Sequence, residues 1–246
     1  MIVLVNGMVR SGSTWSYNVV LELLRRALPD EPLHAGSNEN LAAFLADSPH
    51  EAQHLVVKSH RLNPVGRAMA RTGAAKLVFT VRDPWDATAS SMRAFGHSFG
   101  QALWQVSMGL EGLTLHYQQD NALVVPYPDI TERPVAVIQR VGKFLLGKQH
   151  DPKIVTAVAK ETSFEQMREK VAAINRMNKR RLVHARADMY YDAQTMLYRN
   201  HISDGSSGYG CAYLTRRQVD AVAKAVAKYK LEDTLDKCLS ARGKKD

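Results

Sequence analysis

The sequence predicts an α/β fold of three layers (α/β/α), in which a central parallel sheet is covered by helices on both faces. Two observations lead to this fold class: short apolar runs alternate with helical stretches, and a glycine-containing loop follows the first run. The 246 residues, 45% hydrophobic and 23% charged, suit a folded protein with a large core. Because no Pro- or Gly-rich linker divides the chain, we expect one domain over 1–246, with an α/β core over 1–150 and a helical part over 151–246.

The chain opens with a strand, a tight loop and a helix. The apolar run at 2–5 is typical of a buried strand, and the loop after it extends to Ser13. A helix is predicted over 14–28, because apolar residues recur there at helical spacing and Pro29 follows. This order of elements is the unit from which parallel sheets are built.

Three more short apolar runs predict further strands, at 54–57, 76–81 and 123–125. Each precedes a predicted helix, over 64–71, from near Pro84 onward, and over 133–146. Pro84 suits the first helical position, where its missing N–H costs no hydrogen bond. Strands that alternate with helices in this way indicate a parallel sheet with helices on both faces.

The second half of the sequence has a different pattern. Helices are predicted over 152–180 and 215–239, with Thr215 as the N-cap of the latter. Between them, the Gly/Ser-rich stretch at 204–210 predicts a mobile loop within 199–213. We therefore expect this half to be mainly helical and to close over the site.

The composition narrows the classes of protein that the chain can belong to. Lysine and arginine outnumber aspartate and glutamate by 33 to 24, and this net charge of +9 predicts an anionic partner. The N-terminus lacks the pattern of a signal peptide, and no run of 18 apolar residues predicts a membrane span. The two cysteines, Cys211 and Cys238, favour a reducing compartment and argue against a structural zinc cluster. We expect a cytoplasmic protein with no membrane partner.

The loop at 7–14 nearly matches the phosphate-binding pattern G-x-x-x-x-G-K-[ST]. Gly7 and Gly12 have the required spacing, and Thr14 supplies the final hydroxyl. Such a loop directs several backbone N–H groups at one anion, and the N-terminus of the following helix adds partial positive charge. Ser13 stands at the position where P-loop NTPases carry a lysine, and the cationic residue of this loop is instead Arg10. A plain glycine–serine turn is the alternative interpretation.

Four further segments follow this loop along the chain. They are Lys58-Ser59-His60, the segment at 81–90, the segment at 162–167 and Arg199-Asn200-His201. With Arg10-Ser11-Gly12-Ser13-Thr14-Trp15, they resemble the motifs of the sulfotransferases that use 3′-phosphoadenosine 5′-phosphosulfate (PAPS) and release 3′-phosphoadenosine 5′-phosphate (PAP). The resemblance spans roughly residues 2–215. It implies a P-loop-like sulfotransferase fold, PAPS as co-substrate and no metal.

The resemblance assigns nucleotide-binding roles to residues of this sequence. It implies a 5′-phosphate site made by Arg10, Ser11, Gly12, Ser13 and Thr14, a 3′-phosphate site made by Arg82, Ser90 and Arg199, and an adenine site made by Trp15, Tyr127, Thr162 and Phe164. Arg10 replaces the family's lysine, and Asn200-His201 replace its Lys-Gly pair. Ser90 lies about two helical turns after Pro84, so it meets Arg82 only if that helix begins late or bends.

The implied catalytic residues are His60, Lys58 and Arg10. A hydroxyl nucleophile needs a base near pH 7, and the ordinary pKa of histidine lies there. Lys58, two residues earlier on a strand, points to the same face and can stabilise charge on the transferring group. The alternatives are an ordinary surface histidine at position 60 and core packing for Phe164 and Met167. Asp86 is expected to cap or to form a salt bridge locally rather than to touch the sulfate.

The predicted function is transfer of a sulfuryl group from PAPS to a hydroxyl or amine of a small-molecule acceptor. Apolar and aromatic segments at 33–45, 95–104 and 189–196 are expected to form the acceptor pocket. One alternative is a P-loop kinase or NTPase acting on a small molecule. The other is a nucleic-acid-binding module, suggested by the charge and by Lys179-Arg180-Arg181, but without a nucleic-acid fold signature. We expect no nucleic-acid partner, and the sequence gives no indication of the oligomeric state.

Overall fold

A computed structural model describes residues 1–147, 150–186, 189–199 and 207–239 of the chain. Its centre is a sheet of five parallel strands in the order β2-β3-β1-β4-β5. The strands are β1 (Ile2–Gly7), β2 (Leu33–Ser37), β3 (His54–Lys58), β4 (Lys76–Val81) and β5 (Ala122–Pro126). The four predicted strands are thus present, and β2 is an additional edge strand that the sequence analysis missed.

Helices cover both faces of the sheet, as the predicted three-layer fold requires. In the first half they are α1 (Ser13–Ala27), α2 (Leu41–Ala46), α3 (Pro64–Thr72), α4 (Pro84–Phe95), α5 (Phe99–His116), α6 (Tyr127–Glu132) and α7 (Pro134–Leu146). In the second half they are α8 (Pro152–Glu161), α9 (Phe164–Arg176), α10 (Gly210–Tyr213), α11 (Arg216–Lys228) and α12 (Glu232–Leu239). None of these described helices is long and apolar enough to cross a bilayer.

The core lies on the two faces of the sheet, because successive strand residues point to opposite sides. On one face, Val3 and Val5 of β1 pack with Val20 and Leu24 of α1 and with residues of α7 and α8. On the other face, Leu4 packs in a cluster with residues of α3, α5 and α12. β1 is therefore buried on both sides, which explains why its sequence is a continuous apolar run.

The second half is less uniformly helical than predicted. The expected helix over 152–180 is two helices, because α8 ends before Thr162 and Ser163 caps α9 by accepting the Gln166 N–H. A short 3-10 helix, Lys179–Arg181, then leads into an antiparallel hairpin of β6 (Val183–Arg186) and β7 (Met189–Tyr191), which was not predicted. Of the predicted mobile loop at 199–213, residues 200–206 lie outside the described residues.

The order of the strands places a crevice at the carboxyl end of the sheet. β1 pairs with β3 on one side and with β4 on the other, so the connections leave β1 in opposite directions. In open parallel sheets, ligands bind at such a switch point, outside the carboxyl ends of the strands. The loop at 7–14, the segment after β3 and the residue after β4 all meet there.

Candidate active site

A cavity of about 1510 Å³ opens at the carboxyl end of the sheet. Eleven of the fourteen predicted site residues line it: Arg10, Gly12, Ser13, Thr14, Trp15, Lys58, His60, Arg82, Tyr127, Thr162 and Phe164. The first five follow β1. Lys58 is the last residue of β3 and His60 follows it, while Arg82 follows β4 and Tyr127 follows β5. The fold therefore brings together residues that lie more than 150 positions apart in the sequence.

The loop after β1 presents the N-terminus of α1 to this cavity. The N-cap of α1 is Gly12, which has no side chain to accept a hydrogen bond, and the first turn contains no acidic residue. The first N–H groups of a helix have no partner within the helix, and with the helix dipole they favour an anion. Ser13 and Thr14 lie in this turn and line the cavity. The arrangement can therefore bind a phosphate or sulfate group.

Two residues of this loop adopt left-handed backbone conformations. Gly12 has φ 89°, and a Cβ atom built on it would lie 2.8 Å from Cδ1 of Ile130. Arg10 has φ 65°, a conformation that costs a non-glycine residue about 1–2 kcal/mol. The turn therefore has a strained backbone, and this backbone conformation directs the N–H groups at the start of α1 toward the cavity.

The Ser11 side chain fastens the loop to the sheet. Its hydroxyl is fully buried and lies 2.6 Å from Thr80 Oγ1 and 2.5 Å from the Met8 carbonyl oxygen. The hydroxyl points toward β4 and does not line the cavity. The Ser11 backbone N–H donates to the same Met8 carbonyl oxygen over 3.3 Å, so the predicted part of Ser11 in phosphate binding stays a prediction.

Arg10 connects the two predicted 3′-phosphate residues, Arg82 and Ser90. Arg10 Nε donates to Ser90 Oγ over 3.1 Å, and Arg82 Nη1 donates to the Arg10 carbonyl oxygen over 3.2 Å. Helix α4 begins directly at Pro84, so the late start that the sequence analysis considered does not occur. Ser90 is buried and lies outside the cavity wall. Arg82 and Ser90 therefore meet through Arg10.

Aromatic rings hold these two guanidinium groups. The Tyr127 ring centroid lies 4.1 Å from Cζ of Arg82, and the Phe95 ring centroid lies 5.0 Å from Cζ of Arg10. Burial and the nearby Arg82 charge lower the pKa of Arg10 to about 10. Arg10 is still a cation at neutral pH, but its charge is unfavourable in its surroundings, so an entering anion is stabilised there.

Lys58 and His60 face each other across the end of β3. Lys58 Nζ lies 3.0 Å from His60 Nε2, and His60 Nδ1 lies 3.3 Å from the Gly7 carbonyl oxygen. Because a carbonyl oxygen can only accept, this contact assigns the ring proton to Nδ1. The lone pair of Nε2 then faces the Lys58 ammonium group, which donates to it.

Burial and positive charge keep His60 neutral. Burial, the Lys58 charge and Arg10 together lower the pKa of His60 to about 3, against the effect of the hydrogen bond to Gly7. Burial also lowers the pKa of Lys58 to about 8, although the charge of Glu39 opposes this shift. The pair is therefore a neutral imidazole beside a weakly held ammonium proton, an arrangement that accepts negative charge readily.

Glu39 is a residue of this site that the sequence analysis did not single out. Its Oε1 accepts the backbone N–H of His60 over 3.0 Å, and its Oε2 accepts that of Arg61 over 2.8 Å. The carboxylate also lines the cavity. Glu39 thus fixes the turn that carries His60. In the sequence, Glu39 is only an acidic residue in a polar segment, 21 positions before His60, so no local pattern points to this role.

The predicted adenine site is built from α1, α6 and the break between α8 and α9. The Trp15 indole N–H donates to the Thr162 carbonyl oxygen over 2.8 Å, which fixes the ring in the cavity wall. Thr162 is buried, and both its hydroxyl and its backbone N–H donate to the Val158 carbonyl oxygen, so only its methyl group remains for a ligand. Phe164 is 41% exposed at the cavity, unlike a residue of the helical core.

Arg199, Ser11 and Ser90 are the predicted site residues that do not line the cavity. Arg199 Nη2 donates to the Met177 carbonyl oxygen, at the end of α9. Asn200 and His201, which replace the family's Lys-Gly pair, lie outside the described residues. The predicted part of Arg199 in 3′-phosphate binding therefore requires that its side chain leave Met177.

The predicted acceptor walls contribute selectively to the cavity. Phe95, His97 and Trp104 line it, and Trp104 is 59% exposed. Phe44, by contrast, is buried beneath β2 and stacks on His34, and Phe99 packs against other apolar side chains. Among the described residues, no group of three or more His, Cys, Asp or Glu side chains could hold a metal ion.

Fold and site together define an α/β protein with a P-loop-like anion site at the switch point of its sheet. The sulfotransferase domain model matches residues 2–225, and the chain belongs to that family. It is therefore a sulfotransferase, and sulfuryl transfer is its reaction, which confirms the predicted family and enzyme class. No curated protein matches the chain.

Solved structures share the fold. The mouse sulfotransferase SULT7A1, complexed with PAP, is 15% identical with a TM-score of 0.66, over 97% of this chain and 86% of that one. Retinol dehydratase, in complexes of PAP with androsterone or with retinol, is 16% identical with TM-scores of 0.60 and 0.59. Both of these matches cover 94% of this chain and 81% of that one. The predicted fold class is thereby confirmed.

Proposed function

We propose that this sulfotransferase moves the sulfuryl group of PAPS to a hydroxyl or amine of a small-molecule acceptor, with His60 as general base. The observation that carries the proposal is the meeting, in one cavity, of the uncapped N-terminus of α1 with the Lys58–His60 pair. An anion-binding helix end and a neutral imidazole within one cavity are what in-line transfer between two oxygens requires.

The residues present fit a nucleotide with phosphates at two ends. The first turn of α1, with its free N–H groups, suits the 5′ end, and Arg10 lies beside it. Arg82 faces the same cavity at the end of β4 and suits the 3′-phosphate, because a guanidinium group can donate two hydrogen bonds to one phosphate. Trp15 and Phe164 offer apolar surface for adenine.

The chain's own residues then perform the transfer by holding charge and one proton. PAPS supplies the sulfuryl group: its bond to the 5′-phosphate oxygen breaks as the bond to the acceptor oxygen or nitrogen forms, and PAP leaves with the negative charge. Lys58 turns its ammonium group toward this anion, which frees the Nε2 lone pair of His60 for the proton of the acceptor. Nδ1 of His60 keeps its contact with the Gly7 carbonyl oxygen, so the ring stays oriented. The negative charge that enters raises the pKa of His60 from about 3 toward its ordinary value, which makes it a stronger base.

A small-molecule acceptor is supported by the apolar side of the cavity, where Phe95, Trp104 and Met108 lie. The structurally similar retinol dehydratase holds androsterone or retinol, each of which is a small molecule. A P-loop kinase would need a lysine where this chain has Ser13. The proposed co-substrate is therefore PAPS, and ATP serves as the competing ligand in the test.

The test combines nucleotide binding with a matched pair of histidine variants. Calorimetry should show tighter binding of PAP than of ATP to the wild type. His60→Gln should lose at least about 100-fold in turnover of PAPS with 4-nitrophenol, benzyl alcohol or benzylamine, because the base is missing, while its PAP affinity stays within about threefold. His97→Gln alters another cavity histidine and should keep most of the activity.

Two results would contradict the proposal. Tighter binding of ATP than of PAP would remove PAPS as the co-substrate. Near-wild-type turnover by His60→Gln, with intact PAP binding, would remove His60 as the base and leave the nucleotide site in place.

A further inference from the structure

The Asp86 carboxylate joins helix α4 to a segment more than 120 residues later. Asp86 lies in the first turn of α4 and is 1% exposed. Its Oδ2 accepts the Gly208 N–H over 2.6 Å, and its Oδ1 accepts the Gly210 N–H over 2.7 Å. The N-cap of α4 is Asp83, so Asp86 does not cap its own helix; of the two local roles expected for Asp86, cap or ion pair, only the ion pair is present, with Arg82. Both carboxylate oxygens are thus used to hold the segment 207–213.

The close packing of Gly210 against the backbone of α4 agrees with these two hydrogen bonds. A Cβ atom built on Gly210 would lie 2.3 Å from the carbonyl carbon of Trp85 and 2.4 Å from the Asp86 nitrogen. Only a residue without a side chain can approach α4 this closely, since those atoms belong to the backbone. The segment 207–213 is therefore seated directly on the first turn of α4.

This seating places an aromatic ring beside Arg82, which lines the cavity, and beside Arg93, which does not. The Tyr209 ring centroid lies 5.9 Å from Cζ of Arg82 and 4.7 Å from Cζ of Arg93. Arg82 is almost fully buried, and its Nη2 lies 3.9 Å from Asp86 Oδ2. Asp86 thus forms an ion pair with Arg82. Through its hydrogen bonds to Gly208 and Gly210, it also holds in place Tyr209, whose ring lies near Arg82.

We propose that Asp86 is a positioning residue for the nucleotide. By anchoring the segment 207–213, it fixes Tyr209 and Arg82 in the arrangement that binds the 3′-phosphate of PAP. This inference rests on the proposed function, because it takes Arg82 as a nucleotide contact. It adds a residue that does not line the cavity and acts through Arg82 and the segment. Asp86 touches neither the acceptor side nor the Lys58–His60 pair.

The experiment compares three variants of the full chain. Asp86→Asn replaces one acceptor oxygen with an N–H group that faces a donor, and Gly210→Ala displaces the segment by its added methyl group. Both should speed hydrogen exchange in peptides covering 207–213 and raise the Kd for PAP and the KM for PAPS by at least about tenfold. The KM for the acceptor should stay within about twofold, a split that a general loss of folding would not produce.

Asp83→Asn is the matched control. Asp83 lies three residues earlier, caps α4 by accepting the Asp86 N–H over 2.8 Å, and makes neither of the two contacts with the segment. Asparagine caps helices about as well as aspartate, so the variant should leave the melting temperature, the exchange of 207–213 and the affinity for PAP nearly unchanged.

The outcomes separate this inference from the proposed function. Failure of the wild type to bind PAP overturns the proposed function, and the inference with it. Wild-type binding together with unchanged PAP affinity in both Asp86→Asn and Gly210→Ala overturns the inference alone. Unchanged exchange of 207–213 in both variants overturns the anchor itself.

Discussion

At the scale of single residues, the site holds its cations in unfavourable surroundings. Burial lowers the pKa of Lys58 to about 8 and that of Arg10 to about 10. Each group gains most from a neighbouring negative charge, so the free energy that burial costs is recovered when an anion binds. Glu39 partly supplies such a charge before any ligand enters, because it raises the pKa of Lys58.

Glu39→Gln should move the alkaline limb of activity to lower pH. The amide oxygen of glutamine can still accept a backbone N–H of the His60–Arg61 turn, but the negative charge is gone. Without it, Lys58 loses its proton at lower pH, below about 8. Activity that needs the Lys58 ammonium group falls as pH rises through that pKa, so the fall begins earlier. The measurement is kcat/KM for PAPS from pH 6.5 to 9.5.

Glu111→Gln provides the comparison for this variant. Glu111 also lines the cavity but pairs with Arg67 over 3.2 Å, and Lys58 is influenced by Glu39 rather than by it. Its alkaline limb should match the wild type. If the limb of Glu39→Gln also matches the wild type, Glu39 does not set the charge of Lys58.

At the scale of elements, the first turn of α1 depends on the backbone shape of Gly12. Gly12→Ala should destabilise the fold by about 1–2 kcal/mol, because alanine is unfavourable at φ 89°. It should also weaken PAP binding at least about tenfold, because the new methyl group meets Ile130 and shifts the anion-binding turn. Denaturant unfolding and calorimetry measure the two effects.

Gly147→Ala separates strain from function in this prediction. Gly147 also has positive φ, at 57°, but a Cβ there meets nothing within 4 Å, and it lies at the end of α7 outside the cavity wall. It should lose similar stability and keep its PAP affinity. Equal PAP affinities in the two variants would show that the turn at Gly12 does not hold the nucleotide.

The elements that the sequence predicted are those with strong local patterns. β1, β3, β4 and β5 are apolar runs because helices cover both of their faces. β2 escaped prediction because an edge strand needs little apolar content: Leu33–Ser37 contains a histidine, a glycine and a serine and is partly exposed. The break between α8 and α9 was missed because apolar periodicity continues through Thr162-Ser163, although Ser163 was a readable N-cap.

The candidate site divides in the same way. The loop at 7–14 and Lys58-Ser59-His60 could be predicted, because each is a short motif at the end of a strand. The contacts of Asp86 with Gly208 and Gly210 and of Glu39 with the His60 turn could not, because they join distant segments and leave no local pattern. Only the folded chain reveals that these carboxylates hold site residues in place.

At the scale of the whole molecule, the net charge of +9 exceeds what the cavity uses. Arg10, Lys58 and Arg82 lie in the cavity wall, whereas Lys179, Arg180 and Arg181 form an exposed turn between α9 and the β6–β7 hairpin. Both neighbours of this turn contribute residues to the cavity, for example Met167 and Ala185. We expect these exposed cations to attract the nucleotide and to leave its final contacts unchanged.

Replacing Arg180 and Arg181 by glutamine should slow association of PAP and leave its dissociation unchanged. The change removes two positive charges beside the cavity and spares Lys179, which packs over Tyr190. At 0.01 M salt, where charges act over about 30 Å, we expect the association rate to be about twofold to fivefold slower, because the field that steers PAP toward the cavity is weaker. At 0.15 M salt the screening length is about 8 Å, and most of the difference should vanish.

The control removes the same number of positive charges at the far end of α1, away from the cavity. Arg25 and Arg26 lie in the last turn of α1, about 18 Å along the helix from the turn that faces the cavity. Arg25→Gln with Arg26→Gln lowers the net charge equally. If stopped-flow measurement finds the same slowing in both double variants, the total charge attracts the nucleotide. Slowing confined to the Arg180–Arg181 variant means that the position of the charge decides, and equal on-rates in all three proteins would rule out steering by either pair.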